Sequence, residues 1–278
     1  NWAFGVEDEE EFVRLVLAGQ PEPPAYFGRM KTVNRDGPRV LGRLPSPPAL
    51  PPDRVEPVLA AGALVIDLRP AADYAAGHIP GTVSLPLTRG FTTYAGSVLP
   101  YDRELYLLAA ESSGGPAAEA ARDLALIGLD HVRGRFGPDA LERWVAAGGA
   151  LERIETVTAR EAAGLAEQGA AILDVRTQAE WDDGHLPGAE HVPLGTVAER
   201  AGQLPAGRTL VVHCQGGSRS AIAASLLAAR GTGRVVNLAG GYAEWTASGL
   251  PVERTWAGGL ADMVVGPARG PKRKGVSR

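Results

Sequence analysis

Ile172-Leu173-Asp174-Val175-Arg176, then Gly184-His185-Leu186-Pro187-Gly188, then Val192-Pro193-Leu194, is a pattern that occurs twice in this chain. The earlier copy reads Val65-Ile66-Asp67-Leu68-Arg69, Gly77-His78-Ile79-Pro80-Gly81 and Leu85-Pro86-Leu87, offset by 107 residues with no gap. An ungapped match of this extent marks an internal repeat. Each copy reads as a buried strand, a turn with a short helix carrying an aromatic residue (Tyr74, Trp181), and a Gly-His-x-Pro-Gly loop into another short strand. Further on, each copy has an apolar strand (Leu105 to Leu108; Leu210 to Val212), a loop, and an alanine-rich helix (Ala117 to Leu126; Ala221 to Arg230). A short strand and a helix around a tryptophan (Trp144, Trp245) close each copy. Strands alternating with helices of about ten residues predict an α/β fold with two domains, each a parallel sheet flanked by helices.

The repeat divides the chain into an N-terminal extension (1–45), a first domain (46–152), a second domain (153–256) and a C-terminal tail (257–278). With 278 residues, 45% hydrophobic and 22% charged, the chain is long enough for two ordinary cores. A net charge of −4 gives no reason to expect nucleic acid as a partner. Only the end of the tail, Arg269 to Arg278, is basic, and its Gly and Pro content predicts a solvated, disordered segment. One cysteine cannot form an intramolecular disulfide, no apolar run approaches the span of a bilayer, and no signal peptide is visible. The expectation is a cytoplasmic protein with no membrane partner; a homo-oligomer is compatible with the sequence. The chain begins at Asn1 rather than Met, which leaves room for a processed or longer N-terminus.

The one cysteine stands in Val211-Val212-His213-Cys214-Gln215-Gly216-Gly217-Ser218-Arg219-Ser220-Ala221. A strand ends at the thiol, a small-residue loop follows, and a helix takes over. The first N–H groups of a helix lack intrahelical partners and carry partial positive charge, so they stabilise an anion placed there. Gly216 and Gly217 are expected to take positive φ and let successive N–H groups point inward as an anion nest, and Arg219 adds a fixed charge. These features favour the thiolate, the nucleophilic form. A lone cysteine is more often simply buried, but two glycines, a serine, an arginine and a helix start so close together argue for a reactive one.

In the first copy the matching stretch, Leu107 to Pro116, contains neither cysteine nor arginine, and Glu111 would repel an anionic donor. That domain is expected to be catalytically silent and to cover or wall the second, with a retained binding role as the alternative. Asp174 and Arg176 recur as Asp67 and Arg69, and His185 recurs as His78. Residues shared by a working and a blank copy read as structural support, not as catalysts. His213 precedes Cys214 on a strand, so its side chain should point away from the thiol. The five histidines, His78, His131, His185, His191 and His213, are dispersed, and no metal site is expected.

The loop that opens at Cys214 resembles the active-site loop of the rhodanese (sulfurtransferase) family, and the whole repeat resembles tandem rhodanese domains. Cysteine phosphatases and arsenate reductases also wrap a loop around an anion, but place five residues between cysteine and arginine. Here four residues separate Cys214 from Arg219, and Ser220 stands where those enzymes carry arginine. The shorter loop suits one sulfur atom better than a tetrahedral phosphate. The resemblance implies a ping-pong sulfurtransferase with Cys214 and Arg219 as catalytic residues. Gln215, Gly216, Gly217, Ser218 and Ser220 would bind the persulfide through the loop N–H groups, and Arg219 would orient the donor's negative end. The partners implied are thiosulfate or a low-molecular-weight persulfide as donor and a thiol, or cyanide, as acceptor, with no cofactor in this chain. A phosphatase or arsenate reductase and a non-catalytic interaction module are the rival readings.

Residues 1–45 match neither repeat. Glu7 to Leu17 predicts an amphipathic helix docked on the domain pair, with Pro21 to Phe27 extended after it. Glu9-Glu10-Glu11-Phe12, Pro21 to Phe27 and Met30-Lys31-Thr32-Val33-Asn34 are similar to the end of the metallo-β-lactamase-fold domain in fusions with tandem rhodanese modules. That resemblance implies that the chain is the C-terminal part of a larger polypeptide whose first part is an iron-dependent persulfide dioxygenase. The histidine-rich metal motif of that fold is absent from these residues, so any iron would lie outside them.

Overall fold

Two all-parallel sheets with the same topology carry the repeat. In the computed structural model, residues 5–254 are described, except residues 7, 18–25, 111–114 and 206. The first sheet holds β1 (Leu64–Asp67), β2 (Val83–Ser84), β3 (Leu105–Leu108) and β4 (Val132–Phe136), in the order β2-β1-β3-β4. The second holds β5 (Glu155–Val157), β6 (Ala171–Asp174), β7 (Glu190–His191), β8 (Leu210–His213) and β9 (Val235–Leu238), in the order β5-β9-β8-β6-β7. A parallel bridge between Ala49 and Arg135 lies beside β4 where β5 lies beside β9, so the correspondence extends to the fifth position. Asp67 pairs with Ser84 and Leu108, and Asp174 with His191 and His213, which places the two aspartates at equivalent strand ends.

Helices α3 (Val55–Ala60), α4 (Ala71–Ala76), α5 (Phe91–Val98), α6 (Gly115–Leu126) and α7 (Asp139–Ala146) belong to the first domain. Helices α8 (Ala159–Glu167), α9 (Gln178–Asp183), α10 (Val197–Arg200), α11 (Ser218–Ala228) and α12 (Gly241–Ala247) belong to the second, and α1 (Glu9–Leu17) and α2 (Tyr26–Asp36) precede both. Continuous apolar strands such as Leu210-Val211-Val212 are fully buried because crossover helices cover both faces of a parallel sheet.

One apolar cluster runs through both domains, joining Leu85, Leu107 and Leu124 of the first to Leu173, Val212 and Leu227 of the second. Helix α11 is its centre. From Ser220 to Leu227 it carries no charge, and Ile222, Ala223, Ala224, Leu226 and Leu227 are all buried. A helix apolar on every side must be covered on every side; here its own sheet covers one face and the edge strand β2 lies against another. The Ser84 backbone N–H donates to Ser225 Oγ at 3.0 Å, a buried hydrogen bond that ties the two domains together at this helix.

Several expectations shift. The short strands fall at Val83–Ser84 and Glu190–His191, just before the segments expected, because Pro86 and Pro193 have no N–H to offer a ladder. Helix α11 starts at Ser218, not Ala221, so Ser218, Arg219 and Ser220 form its first turn. None of the residues of α1 is buried, so the expected docking of its apolar face is not realised among the described residues. Tyr26 and Phe27, expected in an extended segment, begin α2. Docking falls to that helix instead: the Tyr26 ring lies over Gly96, filling the space a Cβ would take, and Arg29 lies 4.8 Å over the Tyr101 ring. Residues 21–25, Glu111 and the tail 257–278 lie outside the described residues.

Candidate active site

Cys214 follows β8, at the carboxyl end of a central strand, which is where parallel α/β sheets place their ligands. The thiol side chain is almost wholly covered, at 1% exposure. Gly217 caps α11 in the left-handed region, with φ 101°, a conformation glycine reaches without a Cβ clash. That turn brings the Gly217 N–H to 3.1 Å from Cys214 Sγ, to which it donates. One helical turn on, the Ser220 hydroxyl lies 3.6 Å from the same sulfur and 3.0 Å from the Gly217 carbonyl. The sulfur therefore sits at the positive end of α11 with the Gly217 N–H directed at it, and the Ser220 hydroxyl shares its one proton between the sulfur and the Gly217 carbonyl.

Of the N–H groups from Gln215 to Ser220, that of Gly217 is the one that bonds the sulfur among the described residues. Gly216, expected to share the positive φ, does not have it. The loop is held from outside by the start of α12, where the Tyr242 N–H donates to the Cys214 carbonyl at 2.8 Å and the Ala243 N–H to the Gln215 carbonyl at 3.1 Å. Gly240 and Gly241 both take positive φ, 66° and 57°. A Cβ on Gly241 would collide with the Cys214 carbonyl oxygen and come within 3.0 Å of the carbonyl carbons of Cys214 and Gln215.

Arg219 is paired with an acidic residue of α9. Its Nη1 donates to Glu180 Oε2 at 2.7 Å and its Nη2 to Glu180 Oε1 at 2.6 Å, a fork-to-fork pair. The guanidinium holds the Glu180 carboxyl down at about 2, and the same hydrogen bonds raise Arg219 further above its ordinary value. Cys214 and, from α5 of the first domain, Tyr94 are close enough to Arg219 to act on its charge.

Asp174 and Arg176 form a buried ion pair at the end of β6. The Arg176 N–H donates to Asp174 Oδ1 at 2.9 Å, Nη2 to Asp174 Oδ2 at 2.7 Å, and Nη2 also reaches the Gly184 carbonyl at 2.6 Å. Asp67, Arg69 and Gly77 repeat this arrangement in the first domain. In the second domain alone Arg176 reaches further, with Nη1 3.4 Å from Gln215 Oε1 and the guanidinium 4.1 Å over the Tyr242 ring, so the pair also braces the loop. His185 stacks on Trp181 at 3.7 Å between ring centres and its backbone pairs with Glu253, as His78 stacks on Tyr74 and pairs with Glu152. His213 points away from the thiol into the interior, fully buried, with Nε2 3.5 Å from Asp174 Oδ2; burial depresses its pKa to about 4. Among the described residues no three His, Cys, Asp or Glu side chains are grouped to hold a metal ion, and no helix is long and apolar enough to cross a membrane.

Two clefts flank the loop, and the first domain forms a wall of each. One of 290 Å³ is bounded by Tyr74, Ser84, Gly216, Gly217 and Asn237, and the other of 650 Å³ by Arg69, Tyr94, Ala110 and Ile222; Ser218 borders both. Ala109 follows β3 as Cys214 follows β8.

Residues 52–134 and 158–248 each match the rhodanese-like domain. The chain belongs to the rhodanese-like family. It is 38% identical over 81 residues to a sulfurtransferase of Allochromatium vinosum, a match covering 29% of this chain and 76% of that one. It is 34% identical over 97 residues to the thiosulfate sulfurtransferase GlpE of Pseudomonas fluorescens, covering 34% and 87%. A metallo-beta-lactamase crystal structure from Staphylococcus aureus aligns with 32% identity and a TM-score of 0.40, over 50% of this chain and 37% of that one. Two rhodanese-like domains and sulfurtransferase relatives support sulfurtransferase activity in general.

Three residues of the site escape a reading of the sequence alone: Glu180, Gly241 and Tyr242. The Gly240-Gly241 pair directly after an apolar strand was the available signal for the last two. Nothing local marks Glu180, whose partner lies 39 residues away.

Proposed function

We propose that this chain moves sulfane sulfur through a persulfide on Cys214. The thiolate attacks the outer sulfur of thiosulfate, the S–S bond to the sulfonate breaks with its electron pair, and sulfite leaves; a low-molecular-weight persulfide would release its thiol in the same way. The product is a Cys214 persulfide whose terminal sulfur is anionic. The Gly217 N–H, the Ser220 hydroxyl and the N-terminal end of α11 would carry that charge. A second thiolate, or cyanide, then attacks the terminal sulfur and returns Cys214 as thiolate. Charge is conserved in both halves, and no external oxidant or reductant is required.

The observation that supports this reading best is the hydrogen bond from Gly217 to Cys214 Sγ at a helix N-terminus in a member of this family. Four residues between Cys214 and Arg219, with Ser220 where a phosphatase loop would place its arginine, favour a sulfur cargo over a phosphate ester. A cytoplasmic setting, thiosulfate or persulfide as donor, and service beside a persulfide-oxidising domain are parts of the same proposal. Steady-state assays with thiosulfate and with glutathione persulfide test it: parallel lines in double-reciprocal plots, and no turnover by Cys214→Ser with either donor, are expected. Turnover by the serine variant would overturn the assignment.

A further inference from the structure

We infer that Glu180 is a positioning residue that cancels the charge of Arg219 in the loop that opens at Cys214, and thereby disfavours doubly charged sulfur donors relative to singly charged ones. The inference rests on Cys214 being the reactive group. Arg219 is the one cation among the loop residues from Cys214 to Ser220, and two of its five N–H groups are committed to Glu180 in a planar fork. Glu180 is itself held in place. The Thr177 N–H and hydroxyl donate to its Oε2 at 3.0 and 2.8 Å, so the carboxylate that caps α9 is the one that binds Arg219. Both members are mostly shielded, with side-chain exposures of 21% and 29%.

Pairing removes the net charge but leaves N–H donors on the far side of the guanidinium. A donor can still be hydrogen-bonded there, while the Coulombic preference for a dianion over a monoanion is reduced. The other arginine reaching the loop, Arg176, is neutralised in the same way by Asp174. The repeat supports a specific role for this pair. The first domain, whose loop sequence has no arginine, carries the shorter Asp73 at the position of Glu180 and Pro70 at that of Thr177, and α4 has no capping box. The long carboxylate and its cap occur in the copy that has the arginine and the cysteine.

Alkylation of Cys214 tests the charge without requiring sulfur transfer, and the chain has no other cysteine to confuse the reading. The ratio of labelling rates with iodoacetate, an anion, and iodoacetamide, its neutral counterpart, reports the potential at the sulfur. Glu180→Gln should raise this ratio by about tenfold at low ionic strength, and added salt should erase the gain. Glu180→Asp, which keeps the charge, should stay near wild type, and so should Thr177→Ala, which removes the cap alone. An unchanged ratio in Glu180→Gln, or an equal rise in Thr177→Ala, would overturn the inference. Should Glu180→Gln not fold, Arg219→Gln tests the same claim with the opposite sign. In turnover, Glu180→Gln should raise kcat/KM for thiosulfate, a dianion, relative to methanethiosulfonate, a monoanion that releases a sulfinate, by about tenfold; an equal fall for both donors would mean a purely structural role. Absence of turnover in the wild type would remove the sulfurtransferase reading and leave the labelling result standing.

Discussion

Replacing Gly241 by alanine should damage the site from behind, through the backbone of the cysteine loop and not through its side chains. The added Cβ would collide with the Cys214 carbonyl oxygen and crowd the carbonyl carbons of Cys214 and Gln215. All three are backbone atoms, so no side-chain rotation can relieve the contact; either the cysteine loop or the start of α12 must move. At φ 57° an L-residue costs about 1–2 kcal/mol, and overpacking in a well-filled site typically costs about 1–3 kcal/mol more. Movement would also stretch the hydrogen bonds from Tyr242 and Ala243 that hold the loop carbonyls, each worth about 1 kcal/mol. A loss of about 3 kcal/mol is expected in urea denaturation, seen as a lower midpoint at unchanged slope. Gly216→Ala is the control, since nothing lies within 4 Å of its Cβ position and its φ is not positive; it should shift stability by less than about 0.5 kcal/mol. Wild-type stability and wild-type sulfur loading in Gly241→Ala would refute the claim that α12 sets the loop geometry.

Other consequences follow from the buried polar groups. Ser225→Ala removes the acceptor of the Ser84 N–H at the domain junction and should cost about 1–3 kcal/mol by denaturation, because the N–H stays buried and unpaired. In acid, the imidazole of His213 titrates near 6.5 when unfolded but at about 4 in the native protein, where burial disfavours its charge. The unfolded chain therefore binds more protons between these values, and stability should fall as pH drops from about 6.5 towards 4. His78, depressed by burial as well, adds in the same direction. His213→Asn should flatten that limb of the stability profile; an unchanged profile would contradict the assignment.

Much of the fold is legible in the residues because the chain states it twice. The ungapped recurrence of Asp-x-Arg and Gly-His-x-Pro-Gly aligned the strands of both sheets, and the loss of cysteine and arginine from one copy singled out the other. What escaped was long-range. The Glu180–Arg219 fork joins the first turns of two helices, and neither turn implies the other. Helix α11 carried a readable but unused signal: a helix with no charge from Ser220 to Leu227 has no face to give to water, which required the first domain to lie against it. The N-terminal segment misled because apolar content alone does not say which helix docks. A single aromatic ring over a glycine, Tyr26 on Gly96, secured α2, while the stripe of α1 stayed exposed.

The central claim is that Cys214 carries sulfur as a persulfide stabilised at the start of α11. Its most direct test is the intact mass of the full chain after brief exposure to thiosulfate or glutathione persulfide and removal of the donor. The account predicts a gain of one sulfur atom on the wild type, discharged by cyanide, and none on Cys214→Ser. A wild-type protein that gains no sulfur from either donor, or a serine variant that gains it, would contradict the account.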